Sequence, residues 1–207
     1  IVSAALRSGR NVVTANKALL AHHGAELWAL ARDNGACIGF EASCAGAIPV
    51  IAALTGQLAS DRLDAIYGIV NGTCNHILTA MTRLGQTYDE ALGEAQARGL
   101  AEADPTLDVS GGDSAHKIAI LAALAFGRRV DFDKVYVEGI DTLQLRDIVN
   151  GQELGYVMKL LAIARRRGEA ISLRVHPAFI STKHPLAWVS GPFNAVSVYA
   201  ENSGHTM

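Results

Sequence analysis

Between Lys17 and Arg32 the apolar residues Leu19, Leu20, Leu27, Trp28, Leu30 and Ala31 recur every three to four positions, the spacing of a helix with one buried face. Asn34-Gly35 follows, and Gly35 is free to take the positive φ that ends a helix. Short apolar stretches flank this helix, "NVVTA" before it and "ACIGFEA" after it. The pattern predicts strand, helix, strand, with the opening "IVSAALRSGR" as the tail of an earlier helix. Such alternation is typical of a doubly wound α/β sheet.

Further along, the pattern changes. "GAIPVIAALTGQL" reads as a helix and "RLDAIYGIVNG" as a strand ending in a glycine turn. "TCNHILTAMTRLG" and "TYDEALGEAQARGL" read as two helices, the second opened by Thr87 three residues before Glu90, the spacing of a capping box. A charged stretch, "GLAEADPTLDVSGGDSAHK", leads into the apolar helix "IAILAALAFG". After it come "DKVYVEGI", a helix over "ELGYVMKLLAIARRRG", and strands "ISLRVHPAFI" and "NAVSVYA". "HPAFISTKHPLAWVSGPFN" reads as a long crossover with three prolines. Together these predict an α+β unit, a mixed or antiparallel sheet covered by helices. The boundary falls near residues 41 to 48, giving units 1–46 and 47–207.

Composition narrows the function classes. Of 207 residues, 50% are hydrophobic and 18% charged, with a formal net charge of -2. That suits a packed core and gives no basic surface for nucleic acid. The longest apolar run is shorter than the ~20 residues a membrane helix needs. Cys37, Cys44 and Cys74 form no CxxC pair and read as buried reduced thiols in a cytoplasmic protein. The chain opens at Ile1 and stops just after a strand-like run, so it is expected to be a piece of a longer protein.

The charged stretch carries the candidate chemistry. Ser110, three residues before Asp113, has the spacing of a helix N-cap, and Asp113 and Lys117 that of an ordinary i,i+4 ion pair. Yet Lys117 shares a helix face with Leu121 and Leu124, the face expected to be buried. Burial and the helix dipole favour its neutral form, whereas Asp113 and Asp108 favour the ammonium. A lysine balanced in this way is a candidate general acid or base. Gly111-Gly112 permits close backbone approach by a ligand. Glu102 and Asp104, on a loop of small residues, suit a substrate ammonium or a metal ion, but the acidic spacing is not that of a calcium loop. "VVTANK" places Asn16 and Lys17 at the carboxyl end of a strand, where α/β sheets bind ligands. Glu41 enters a run of small residues whose carbonyls are suited to ring a monovalent cation, or it simply caps a loop. The seven histidines show no zinc spacing, and no GxGxxG occurs.

Taken in order, "VVTANKALLA", "FEASCAGAIPVI", "GIVNGTCNHIL", "GLAEADPTLDVSGGDSAHK", "LRVHPAFI" and "HPLAWVSGPFNAV" resemble the homoserine dehydrogenase family over nearly the whole chain. The resemblance implies residues 1–46 as the C-terminal part of a Rossmann-type NAD(P)-binding domain and 47–207 as the substrate and dimerisation domain. It implies NAD(P)H-dependent reduction of L-aspartate 4-semialdehyde to L-homoserine, by a cytoplasmic homodimer without nucleic-acid or membrane partners. Lys117 is then the proton donor, with Asp113 beside it. Glu102, Asp108, Asp113 and Lys17 hold the substrate, and Lys17 and Gly99 border the NADP or NAD. Glu41 and the carbonyls of Cys44, Gly46 and Ile48 form a site for Na+ or K+, with Cys44 where valine is expected. The glycine-rich turn lies outside this sequence. Two rivals stand beside that reading: a Schiff-base lyase using Lys117, and a truncated binding module unable to hold the cofactor.

Overall fold

The computed structural model describes residues 1–207. The first unit consists of α1 (Val2–Arg7), β1 (Val12–Val13), α2 (Lys17–Asp33) and β2 (Ile38–Gly39). β1 and β2 run parallel, Val12 opposite Ile38, with α2 as the crossover. Asn16 caps α2, its side chain accepting from Leu19 N at 3.0 Å, and Gly35 takes φ 64° after its end, as the pattern predicts.

The larger unit holds α3 (Val50–Thr55), β3 (Leu63–Ile69), α4 (Gly72–Leu84), α5 (Tyr88–Ala97), α6 (Thr106–Val109), α7 (Gly112–Phe126), β4 (Tyr136–Val137), α8 (Leu145–Glu153), β5 (Tyr156–Arg167), β6 (Ala170–Ser181), β7 (Ala195–Ala200) and β8 (Gly204–Thr206). Its six-stranded sheet has the order β4-β6-β5-β3-β7-β8. Only β4 and β6 pair in parallel, so the sheet is mixed, as expected. The Thr87–Glu90 capping box forms at the start of α5.

α7 is the central helix. Ile118, Ile120 and Leu121 are inaccessible to solvent, and it packs against α2, α3 and the sheet strands. Its apolar surface is nearly continuous because it has neighbours on almost every side. Met158, Leu160, Ala162 and Ala164 of β5 join the core under the helices, whereas Leu161 and Ile163 join a second cluster with Ile69, Leu186 and Ala195. That alternation is the two-residue period of a strand.

Four readings of the sequence are corrected. "ELGYVMKLLAIARRRG" is strand, not helix, over Tyr156–Arg167. An uninterrupted apolar run fits either period, and burial on both faces of a central strand supplies such a run. The helix in this region, α8, lies just before it. Ser110 does not cap α7. The N-cap is Gly111 at φ 86°, and Ser110 ends α6 instead. Gly111-Gly112 serves close packing within the chain: a Cβ on Gly111 would stand 3.1 Å from Val137 Cγ1, and one on Gly112 3.0 Å from Leu107 Cδ1. Finally, Cys37 is exposed, and only Cys44 and Cys74 are buried.

Candidate active site

The site is built around Asp113, the second residue of α7, which is 3% exposed. One helical turn later, Lys117 donates from Nζ to Asp113 Oδ2 at 2.7 Å and to the Val70 carbonyl at 2.7 Å. From the first unit, the Lys17 ammonium lies 2.9 Å from Asp113 Oδ1. A single buried carboxylate therefore holds two lysines, one on each oxygen. The local structure explains the convergence. β3 ends at Ile69 and delivers the Val70 carbonyl, Gly111 turns α6 into α7, and Lys17 opens α2 beyond the end of β1.

Asn71 completes the shelf. Its Nδ2 donates to Asp108 Oδ1 at 2.8 Å and to Asp113 Oδ2 at 2.8 Å. Its Oδ1 accepts from Cys74 N at 2.8 Å, capping α4. Both N–H groups and the oxygen of this amide are thus committed, and the two carboxylates are held at a fixed separation.

Burial alone would raise the Asp113 pKa, but the charge and hydrogen bond of Lys117, with the hydrogen bonds of Asn71 and Lys17, hold it below the usual carboxylate range. The hydrogen bond to Asp113 holds Lys17 above its ordinary value, against the effect of its partial burial. Desolvation pushes the Cys44 thiol up to about 11, and Cys74, whose Sγ donates to the Asp108 carbonyl at 3.2 Å, is pushed up by the same cause. Neither is an activated nucleophile.

Glu102 and Gly99 stand apart from this cluster. Glu102 is exposed and its carboxylate has no hydrogen-bond partner, while its carbonyl accepts from Gln96 Nε2 at 3.2 Å. Gly99, at φ 71°, is exposed just after α5. The loop carrying both is nonetheless tied to the start of α4, since Thr73 Oγ1 donates to the Leu100 carbonyl at 2.8 Å. Asp104 folds its own turn, accepting from Thr106 N and Oγ1 at 3.1 and 2.6 Å.

Glu41 caps a helix in this structure. Its two oxygens accept from Ile51 N at 2.8 Å and Ala52 N at 2.9 Å in the first turn of α3. A carboxylate oxygen retains further acceptor capacity in that arrangement. The Cys44 and Gly46 carbonyls accept no hydrogen bond from the protein, whereas the Ile48 carbonyl accepts from Val50 N at 2.8 Å. Asn194, whose Oδ1 is buried without a partner, lies against this loop, its Nδ2 3.8 Å from where a Gly46 Cβ would be. The donor set is hard oxygen only and fits an alkali cation.

Two participants escaped the sequence reading. Asn71 carries a signal, an asparagine immediately before a helix, but nothing along the chain says that its amide spans residues 108 and 113. The Val70 carbonyl carries none.

A family model described as homoserine dehydrogenase matches residues 49–207. The homoserine dehydrogenase of Neisseria gonorrhoeae is 48% identical over 203 residues, covering 98% of this chain and 47% of that protein. That of Bacillus subtilis is 51% identical over 203 residues, with the same coverages of 98% and 47%. The chain thus spans about half the length of the curated relatives it matches. Among solved structures, a homoserine dehydrogenase from Thiobacillus denitrificans superimposes with a TM-score of 0.96 at 47% identity, covering 99% of this chain and 48% of that one. A hyperthermophilic archaeal homoserine dehydrogenase in complex with NADPH superimposes with a TM-score of 0.85 at 30% identity, covering 99% of this chain and 59% of that one.

Proposed function

The chain belongs to the homoserine dehydrogenase family, and from that premise we propose that the protein it forms part of reduces L-aspartate 4-semialdehyde to L-homoserine with NADPH or NADH. The observation that carries this reading is the Lys117 ammonium, mostly shielded from water and fixed by Asp113 and the Val70 carbonyl. The nicotinamide supplies the hydride to the aldehyde carbon. Negative charge then grows on the carbonyl oxygen, and Lys117 stabilises it and gives up a proton to it. Asp113 orients Lys117 through the 2.7 Å ion pair. The family match also disfavours the lyase reading.

Asp108 and Glu102 supply carboxylates for the substrate ammonium, Asp108 placed by Asn71 and Glu102 on the neighbouring loop with its oxygens unengaged. Lys17, at the end of β1, and Gly99, a bare backbone position, border the nicotinamide. This chain has no GxGxxG, so the pyrophosphate turn is not among its residues. Glu41 and the carbonyls of Cys44, Gly46 and Ile48 hold Na+ or K+, and the two unengaged carbonyls support that assignment.

We extend the reading to the division into 1–46 and 47–207, and to a homodimer formed through the open sheet face. That face carries Tyr67, Leu161, Ile180 and Tyr199 around a cleft of about 510 Å3. No helix is long and apolar enough to cross a membrane. Three unpaired cysteines suit a reducing, cytoplasmic compartment.

The test is NADPH oxidation with aspartate semialdehyde by the full-length protein carrying this chain. Turnover is expected, and Lys117→Ala should lower kcat by about 10²- to 10⁴-fold with a much smaller effect on KM. Absence of turnover in the wild type would overturn the reaction, and near-normal turnover in Lys117→Ala would remove that lysine from it.

A further inference from the structure

Lys159 is the fourth residue of β5 and is 3% exposed. It belongs to none of the ion pairs. Burying an ammonium without a carboxylate is costly, and desolvation lowers its pKa to about 8. A methionine of similar length would fill the space without that cost. The lysine is therefore accounted for by the two bonds that it makes, to Asn75 Oδ1 at 2.9 Å and to the Val189 carbonyl. Charged or neutral, the amine has enough N–H groups for both.

These bonds lead to the active site. Asn75, 2% exposed, turns its Nδ2 to the carbonyls of Val189, Gly191 and Phe193 at 3.3, 2.9 and 3.1 Å. Thr79 Oγ1 accepts from Gly191 N at 3.0 Å. The 189–193 loop is thus gripped along its backbone by β5 and α4. Its Pro192 carbonyl presses on Gly72, where a Cβ would come within 2.6 Å of the oxygen. Gly72 is the residue after Asn71, whose amide holds Asp108 and Asp113.

We propose that Lys159 is a positioning residue: with Asn75 it fixes the 189–193 loop against Gly72, and so keeps Asn71 placed to hold Asp108 and Asp113. The role is separate from proton donation at Lys117 and rests on the reading of the Asp113 cluster as the catalytic site. A loop held largely by its backbone carbonyls needs donors aimed at it from the core, and Lys159 and Asn75 supply them.

The experiment compares Lys159→Met and Thr79→Val with wild type in the full-length protein. Thr79→Val keeps the side-chain shape and removes the acceptor for Gly191 N, so it reports on the same loop where Lys159→Met fails to fold. Two quantities are read: amide hydrogen exchange over residues 71–74 and 190–194, and kcat and KM for aspartate semialdehyde. A misplaced shelf is expected to lower kcat by about tenfold or more, with KM changed less than threefold and faster exchange in both segments. Wild-type exchange and wild-type kcat in a folded variant would overturn the proposal. So would a loss spread evenly over the whole exchange map, which marks general destabilisation. The exchange readout needs no substrate, so a wild type without turnover would sink the assigned reaction while the loop's attachment to Lys159 was still decided.

Discussion

Replacing Asp113 with asparagine keeps the side-chain shape and removes one charge from a cluster that contains Lys17, Lys117, Asp108 and Asp113. In the wild type the four formal charges cancel; in Asp113→Asn one positive charge is left over. Two ammonium groups bonded to opposite oxygens of one carboxylate sit about 5 Å apart, where like charges repel by ~3 kcal/mol at an effective dielectric constant of about 20. The Lys117 side chain is 15% exposed and has little room to escape, but that of Lys17 is 34% exposed and can turn to water. Solvent relief of this kind reduces the expected loss to roughly 2–3 kcal/mol, at the lower edge of what breaking a buried pair costs. Urea denaturation should show it as a lower midpoint with an unchanged slope. The activity loss should be larger, about 10²-fold in kcat, because Lys117 loses the group that aims it. The pH dependence has a definite sign. Asp113 has a folded pKa below its ordinary 3.8, so its contribution is present above that value and fades as pH falls through the folded value. The gap between wild type and variant should therefore be full at neutral pH and narrow only below pH 3.8. A midpoint unchanged at pH 7, or kcat within threefold of wild type, would refute this account of the cluster.

Gly139→Ala should weaken both stability and catalysis. The added Cβ would lie 2.2 Å from the Val109 carbonyl and 2.7 Å from Ser110 Cα, both backbone atoms immediately before α7. Overpacking of this sort costs about 1–3 kcal/mol, and thermal unfolding with a kcat measurement checks it; a Tm equal to wild type would show that the segment yields freely. Alkylation at pH 8 should modify Cys37 alone in the native protein, since Cys44 is buried with its pKa pushed up to about 11 and Cys74 is buried as well. Mass mapping reads the sites, and rapid labelling of Cys44 would mean that the loop beside Lys117 opens readily.

Much of this architecture is written in local pattern, and the exceptions are instructive. α2, α4 and α5 declare themselves because each has a polar cap and one apolar face, so period and termini agree. β5 does not. Met158 through Ala164 contact helices on one side and a second apolar cluster on the other, and a segment buried on both faces loses the alternation that would identify it. The better clue lay at its ends, where Gly155 and Gly168 take φ of 81° and 58°. Lys117 and Asp113 were legible because their spacing on one helix already implies contact. Lys17 was visible as a strand-end lysine, but its partner lies 96 residues away, and only the fold pairs them. The same holds for Asn71. Glu41 shows the reverse problem, since one carboxylate suits either a helix start or a cation loop, and local pattern does not separate the two; the structure shows the helix start.

A carboxylate shared by lysines from two helices makes the placement of those helices and the electrostatics of the site a single equilibrium. Lys17 rides on α2 and Lys117 on α7, so the distance between these helices is written into the electrostatics of Asp113. A ligand that draws Lys17 toward itself relaxes the grip between α2 and α7. By linkage, whatever moves α2 relative to α7 changes the affinity for that ligand by the same factor. Any displacement of α2 relative to α7 would therefore be felt at Asp113 as a change of charge neighbours, without any further messenger between the two helices.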